Sequence, residues 1–292
     1  MLRKVIALRG NDTVKVLQSL CTNDVAGWES GLLATAFLTN KGRVLCDAIL
    51  YRTEDSSVLV DVAAESFGGL VRHLKMYKLR AQVSIEATDL AVSRERVGEV
   101  LAGGTDPRVS GLGERFVSSE RGPAPEVRSR LAVGVSEGPE IVGRIPLECN
   151  LDAINAISFS KGCYLGQELT ARAKHRGAVR KRLMPLVMRH QALQVMAEIP
   201  PCEEAPPGKG EDKVLAADGA TIGTVVAADS GVVLALLRLD AAFAPEPHFS
   251  INGRPASPYL PPWWLDAHLA AREDGRMVLQ PGGEGGTPSS SS

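Results

Sequence analysis

Between Arg3 and Glu86 the chain switches repeatedly between two hydrophobic periods, and that switching limits the folds open to it. Arg3–Leu8 is a short run of strand type. Gly10-Asn11-Asp12 supplies a turn and a helix cap, followed by Val14, Leu17 and Leu20 at helical spacing. Leu32–Leu38 and Val44–Tyr51 flank Thr39-Asn40-Lys41-Gly42, the pattern of a hairpin. Val58–Val62 is a further strand. Residues 66–78 put Phe67, Leu70, Val71, Leu74 and Tyr77 on one helical face, and Ala81–Glu86 returns as a strand. The order β-α-β-β-β-α-β predicts an α+β body with helices on one face of a largely antiparallel sheet.

Residues 88–146 carry no comparable signal, and Asp106-Pro107-Arg108 and Gly122–Pro125 read as loops. Leu151, Ile154 and Ile157 resume a helical stripe. Beyond Arg182 short β-rich runs (Leu183–Met188, Thr221–Ala227, Val232–Leu239) alternate with turns, and a Pro-rich loop spans Pro200–Gly208. This predicts a small β-barrel or sandwich. The division expected is a body over 1–182, a barrel over 183–265 and a tail over 266–292, disordered from about 281 where Gly, Ser and Pro dominate. Aromatic residues are only 4% of the chain, so the core must lean on Leu, Val, Ile and Ala. Trp263-Trp264 is expected to pack the tail onto the body rather than to expose a contact.

Several function classes fall away early. A formal net charge of −1 argues against bulk binding of nucleic acid. No apolar run reaches the roughly 20 residues that span a bilayer, so no membrane insertion is expected. Met1-Leu2-Arg3-Lys4 leads straight into a strand, leaving no visible presequence. Cys21, Cys46, Cys149, Cys163 and Cys202 are an odd number without a C-x-x-C pair. They make a poor disulfide framework and a poor self-contained metal site.

The most informative segment is Lys161-Gly162-Cys163-Tyr164-Leu165-Gly166-Gln167-Glu168. A cysteine between glycines, behind a lysine and before a helix starting near Tyr164, has the surroundings that favour a thiolate. Three roles are open to Cys163: a buried structural thiol, a nucleophile and a metal ligand. A nucleophile wants a base, and His175 lies twelve residues on, out of local reach. A metal ligand wants company, since zinc and iron–sulfur sites usually take four protein ligands. One thiolate would need a partner to supply the rest. The other four cysteines read as structural. From Leu169 to Ala197 there is no Asp or Glu, yet Arg172, Lys174, Arg176, Arg180, Lys181, Arg182 and Arg189 are present. That stretch is either a solvated basic face or a site for an anion or acidic partner.

The octapeptide with its flanks, from Ile157 to Arg172, resembles the signature of the folate-binding YgfZ-type proteins, in the superfamily of the glycine-cleavage T-protein, an aminomethyltransferase. The fuller resemblance is to the mitochondrial branch, iron–sulfur cluster assembly factors that work with A-type carrier proteins to make 4Fe–4S clusters. Leu20–Asp24, Phe37–Arg43, Met76–Arg80, Asp106–Arg108, Ile145–Glu148 and Pro262–Trp264 match in order. The mitochondrial branch is favoured by Leu169-Thr170-Ala171-Arg172, the Trp pair and the Ser tail, because bacterial relatives share the octapeptide.

The resemblance implies a T-protein-like α+β body with a C-terminal β-barrel around a folate-sized cavity. It implies that Cys163 donates one ligand to a 2Fe–2S cluster shared with an A-type carrier, in the mitochondrial matrix. Asn23, Asn40, Gly42, Asp47, Arg80 and Glu148 would line the cavity, with tetrahydrofolate as its ligand. The chain departs from the T-protein at Cys46-Asp47, where the T-protein has paired acids, which speaks against aminomethyl transfer. An assembly factor that is not an enzyme is therefore expected first, and a tetrahydrofolate-dependent C1-transfer enzyme second.

Overall fold

A computed structural model describes residues 2–53, 57–124, 126–176, 179–189, 191, 193–196, 212–244, 248–264, 269–271 and 277–279. The Pro-rich loop, Cys202 and the tail beyond 281 lie outside them.

Strand β1 (Arg3–Arg9) and helix α1 (Thr13–Leu20) open the body. Strands β2 (Leu32–Leu38), β3 (Val44–Arg52) and β4 (Val58–Ala63) follow, then α2 (Ala64–Tyr77) and β5 (Ser84–Ala87). They form an antiparallel five-stranded sheet in the order β2-β3-β4-β1-β5. The element order predicted from periodicity is the one observed.

Period 2 divides each strand between two cores. Ile6, Leu8, Cys46, Leu50, Val60 and Val62 face α1 and α2, meeting Leu17, Leu20, Leu70 and Leu74. Val5, Ala7, Ile49, Tyr51 and Leu59 face the other way, onto the rest of the molecule. Both faces are buried, so the strands read as continuous apolar runs rather than alternating ones. At about 25 cal/mol per Å² the buried aliphatic side chains contribute roughly 1.5–3 kcal/mol each, the main term holding these layers together.

The middle region carries a small sheet between its loops, and Asp106–Arg108 and residues 122–124 are loop as expected. Strands β6 (Ala91–Ser93), β7 (Val100–Thr105) and β8 (Glu114–Ser118) form a small sheet in the order β6-β8-β7. Helix α3 (Val127–Ala132) and 3₁₀ turns at Gly138–Glu140 and Pro146–Cys149 complete the cover on the second face. The helix expected over 151–157 is absent. Asn150 and Asn155 hold φ of 60° and 55°, which breaks the spacing of Leu151, Ile154 and Ile157 into successive turns.

Helix α4 (Gln167–Arg176) leads to the barrel. Its strands are β9 (Lys181–Val187), β10 (Lys213–Ala216), β11 (Thr221–Asp229), β12 (Val232–Arg238), β13 (Phe249–Ile251) and β14 (Arg254–Pro258), with a short helix α5 (Leu239–Ala242). They close in the order β10-β11-β12-β9-β14-β13. Two short strands, β15 (Leu269–Ala271) and β16 (Met277–Leu279), pair beyond it. Among the described residues no helix is long and apolar enough to cross a membrane.

The barrel is tied back to the body at α3. Tyr259 Oη donates to Ala132 O at 2.7 Å and Trp263 Nε1 to Val133 O at 2.8 Å. These are carbonyls that the end of a helix leaves without intrahelical partners. Trp264 is fully buried beside Trp263 and Phe243.

Candidate functional site

Two constellations stand out, one sealed and one open. The sealed one lies on the second face of the body sheet. Arg3 on β1, Asp47 on β3 and Asp61 on β4 meet Asp106, Arg108, Arg115, Arg130, Glu137 and Glu140 from the covering segments, nearly all excluded from water. Asp61 receives Arg3 Nε at 2.6 Å and Arg115 Nη2 at 2.8 Å. Burial pushes the Glu137 carboxyl up, but Arg108, Arg3, Arg115 and Arg130 outweigh that and hold it well below the usual carboxylate range. Asp106 is lowered likewise, burial being outweighed chiefly by Arg108. The sequence pattern holds only two signals of this network, the acids inside apolar strands, Asp47 in Val44–Arg52 and Asp61 in Val58–Ala63.

The open constellation is the octapeptide. Gly166 holds φ +81°, so α4 starts at Gln167 and not near Tyr164. Cys163 therefore stands four residues before the helix, on a loop. Lys161 does not serve its thiol. Lys161 Nζ donates to Gln18 O, Cys21 O and Asn23 O at 2.8, 2.8 and 2.7 Å. Leu165 N donates to Ser19 O at 3.0 Å. Gln18 and Ser19 belong to the last turn of α1, where carbonyls lack partners and a cation is favoured. Burial among these carbonyls moves the lysine pKa down from its ordinary value, offset in part by Cys21 and Asp24.

The C-terminal side of the loop is fixed as firmly. Tyr164 N donates to Gln167 Oε1 at 3.1 Å, and Gln167 N returns a bond to Tyr164 O at 3.3 Å. Gly166 packs directly on the hairpin turn: a Cβ there would lie 2.4 Å from Thr39 O and 3.2 Å from Gly42 Cα. A Cβ on Gly42 would lie 2.6 Å from Leu169 Cβ. The hairpin turn is thus a seat for the octapeptide as well as turn chemistry. Gly162 differs from Gly166. Its φ is not positive and a Cβ there meets nothing within 4 Å, so close approach is not what it supplies.

Between these anchors Cys163 is exposed, whereas Cys21, Cys46 and Cys149 are buried and their thiols are pushed up by burial. No described His, Asp or Glu side chain hydrogen-bonds the Cys163 sulfur, so no base is engaged with it. Among the described residues no three His, Cys, Asp or Glu side chains converge as a metal site. Phe159, 42% exposed, lies on the same loop under Lys174 Nζ at 4.2 Å. The basic segment divides. Arg182 is buried and structural, gripping Asp152 at 2.8 Å and Leu147 O at 2.7 Å, while Arg172 and Arg180 face solvent.

The residues expected to line a folate cavity lie on several different features. Asn23 spends its amide on Ala34 O and Asn155 O, both at 2.7 Å. Asn40 is exposed at the hairpin tip, Gly42 is covered by α4, and Glu148 sits half-buried on the 3₁₀ turn after Ile145. Asp47 accepts from Gly138 N at 2.7 Å and faces Arg3 at 3.5 Å within the sealed network. Arg80 lines a cleft on the opposite side of the sheet, between α1 and the end of α2.

Residues 180–266 match the family described as CAF17, C-terminal beta-barrel domain. The iron-sulfur cluster assembly factor IBA57, mitochondrial, of Homo sapiens is 32% identical over 90% of this chain and 83% of its own length. The Mus musculus protein of the same name is 31% identical over 91% and 84%. The IBA57 homolog of Neurospora crassa is 33% identical over 65% of this chain, and there the match spans 53% of the relative's length. In three dimensions the glycine cleavage system aminomethyltransferase T of Bartonella henselae superposes with a TM-score of 0.65 at 14% identity, over 89% of this chain and 84% of that one. The fold is that of the T-protein, with a closed barrel at its C-terminal end.

Proposed function

This chain belongs to the IBA57 family of iron–sulfur cluster assembly factors, and from there we propose that it matures 4Fe–4S proteins by holding a 2Fe–2S cluster jointly with an A-type carrier. Cys163 supplies this chain's ligand and the carrier supplies the others. The cluster is cargo. The setting is the mitochondrial matrix, in keeping with relatives named as mitochondrial.

One observation carries the reading: among the described residues one cysteine is exposed, with no His, Asp or Glu hydrogen-bonded to its sulfur, and it stands on a loop fastened at both ends. A thiol enzyme needs a base in reach. A self-sufficient metal site needs more ligands. A half-site that another protein completes needs neither, and it gains from a loop already ordered before the partner arrives. Tetrahydrofolate-dependent C1 transfer draws support from the fold alone, and Asp47, the acid it would use, is held by Gly138 N–H and Arg3.

The test is anaerobic mixing of the chain with an A-type carrier and a cluster source. The chain alone should hold little iron, and the mixture should yield a complex with 2Fe–2S absorbance. Formation of the same coloured complex by Cys163→Ala would overturn the ligand assignment. Turnover of a tetrahydrofolate derivative, lost in Asp47→Asn and kept in Cys163→Ala, would favour the C1 enzyme.

A further inference from the structure

The cleft between α1 and the end of α2 lies beside the cysteine loop. It encloses about 410 Å³ and is lined by Lys15, Val16 and Ser19 of α1 and by Tyr77, Leu79 and Arg80. One apolar side chain of the lining, Leu79, stands in water at 81% exposure, and Met76 of the last turn of α2 is exposed as well. Leu79 also holds φ +49°, just past the helix end, where glycine is the usual occupant. Stability of this chain alone gives no reason for a bulky apolar residue in a left-handed, solvent-facing position. In the lining Lys15 and Arg80 have no acidic partner among the described residues. Asp12, the one acid in the lining, accepts from Gln82 N at 2.8 Å.

We propose, on the premise that Cys163 shares a cluster with a carrier, that this apolar and basic cleft is where the carrier docks, through an acidic face bearing an apolar side chain. Continuity with the thiol loop supports this. Ser19 lines the cleft, and its carbonyl receives Leu165 N from the loop. A stable interface covers about 800 Å² per partner, a patch of roughly 16 Å radius. Lys15 and Ser19 are only about 6 Å apart along α1. A protein that reaches Cys163 with its cluster ligands is thus large enough to extend across Ser19 onto the cleft. In a chain of net charge −1, unpaired cations at this rim select an acidic partner and speed its approach. Leu79 supplies the desolvated centre that affinity requires.

The test titrates the full chain with a recombinant A-type carrier, both apo and loaded with a 2Fe–2S cluster, comparing Leu79→Gly, Lys15→Glu/Arg80→Glu and Cys163→Ala. Leu79→Gly relieves the backbone and removes the apolar contact, so its Tm should not fall while Kd weakens at least about fivefold. The charge-reversed variant should associate about tenfold more slowly and lose most of its salt dependence. Cys163→Ala should still dock the apo carrier while losing the coloured complex. Unchanged Kd and salt dependence in both cleft variants, with the original chain still binding the carrier, would overturn the docking face and leave cluster sharing intact. Failure of the original chain to bind either carrier form would overturn cluster sharing and the docking face together. A change from dimer to monomer in Leu79→Gly would instead assign the cleft to a second copy of this chain.

Discussion

The sealed network and the cysteine loop handle polar groups in opposite ways. In the network, Arg3, Arg108, Arg115 and Arg130 meet Asp47, Asp61, Asp106, Glu137 and Glu140, and the charges are answered from within the chain. In the loop Lys161 and Gln167 are engaged by other partners, and the sulfur is left over. Lys161 is the clearest case. Its position in sequence makes it the obvious activator of the thiol, yet all three of its bonds go to carbonyls around the end of α1. A buried charge cluster fixes how the cover sits on the sheet; a fastened loop with a free tip offers one atom to something outside.

The contrast can be broken at its strongest point first. Glu137→Gln should destabilise the fold by about 3–5 kcal/mol, the cost of leaving buried guanidinium groups short of a countercharge. Denaturant unfolding measures it, and a loss under about 1 kcal/mol would mean water reaches the network. The acid limb follows in sign. A carboxyl whose folded pKa is depressed contributes stability that is complete above its unfolded value of about 4.3 and is lost as pH falls through the lower folded value. Stability should therefore be flat in this contribution above about pH 5 and decline below it, and Glu137→Gln should make that decline shallower.

Within the loop the effects should be graded. Lys161→Met strips the α1 end of its cation and should cost about 2–3 kcal/mol, with the carrier complex weakened as well. Gly166→Ala forces a side chain into a left-handed position against Thr39 O and should cost about 1–3 kcal/mol. Gly162→Ala, at the free tip, should stay within about 0.5 kcal/mol. Equal costs at Gly162 and Gly166 would erase the distinction between fastened ends and free tip.

Much of this molecule was legible in its sequence, and the rest fails for nameable reasons. Elements between Arg3 and Ala87 follow from local periodicity because each is long enough to show its period. Strand β6 has three residues and β7 contains Gly103-Gly104, so neither shows one. Cys21, Cys46 and Cys149 are buried, as their apolar surroundings suggest, and Cys163 is exposed. The helix start near Tyr164 was misplaced because Gly166 reads as mere flexibility until its φ and its contact with Thr39 are seen. Lys161 was misassigned because its partners lie about 140 residues upstream, where no local pattern reports them.

That separation has a consequence for how the protein is made. Helix α1 has eight residues, too few to persist alone in water. Lys161 follows Cys21 by 140 residues, so that whole stretch must emerge, from ribosome or import channel, before the two can meet. Until then the nascent N-terminal half lacks the lysine that finishes its first helix. Completion of that helix and ordering of the thiol loop are therefore one event late in biogenesis. A chain released too early would carry Cys163 on an unfastened segment, or not at all, and would have no ordered ligand to offer.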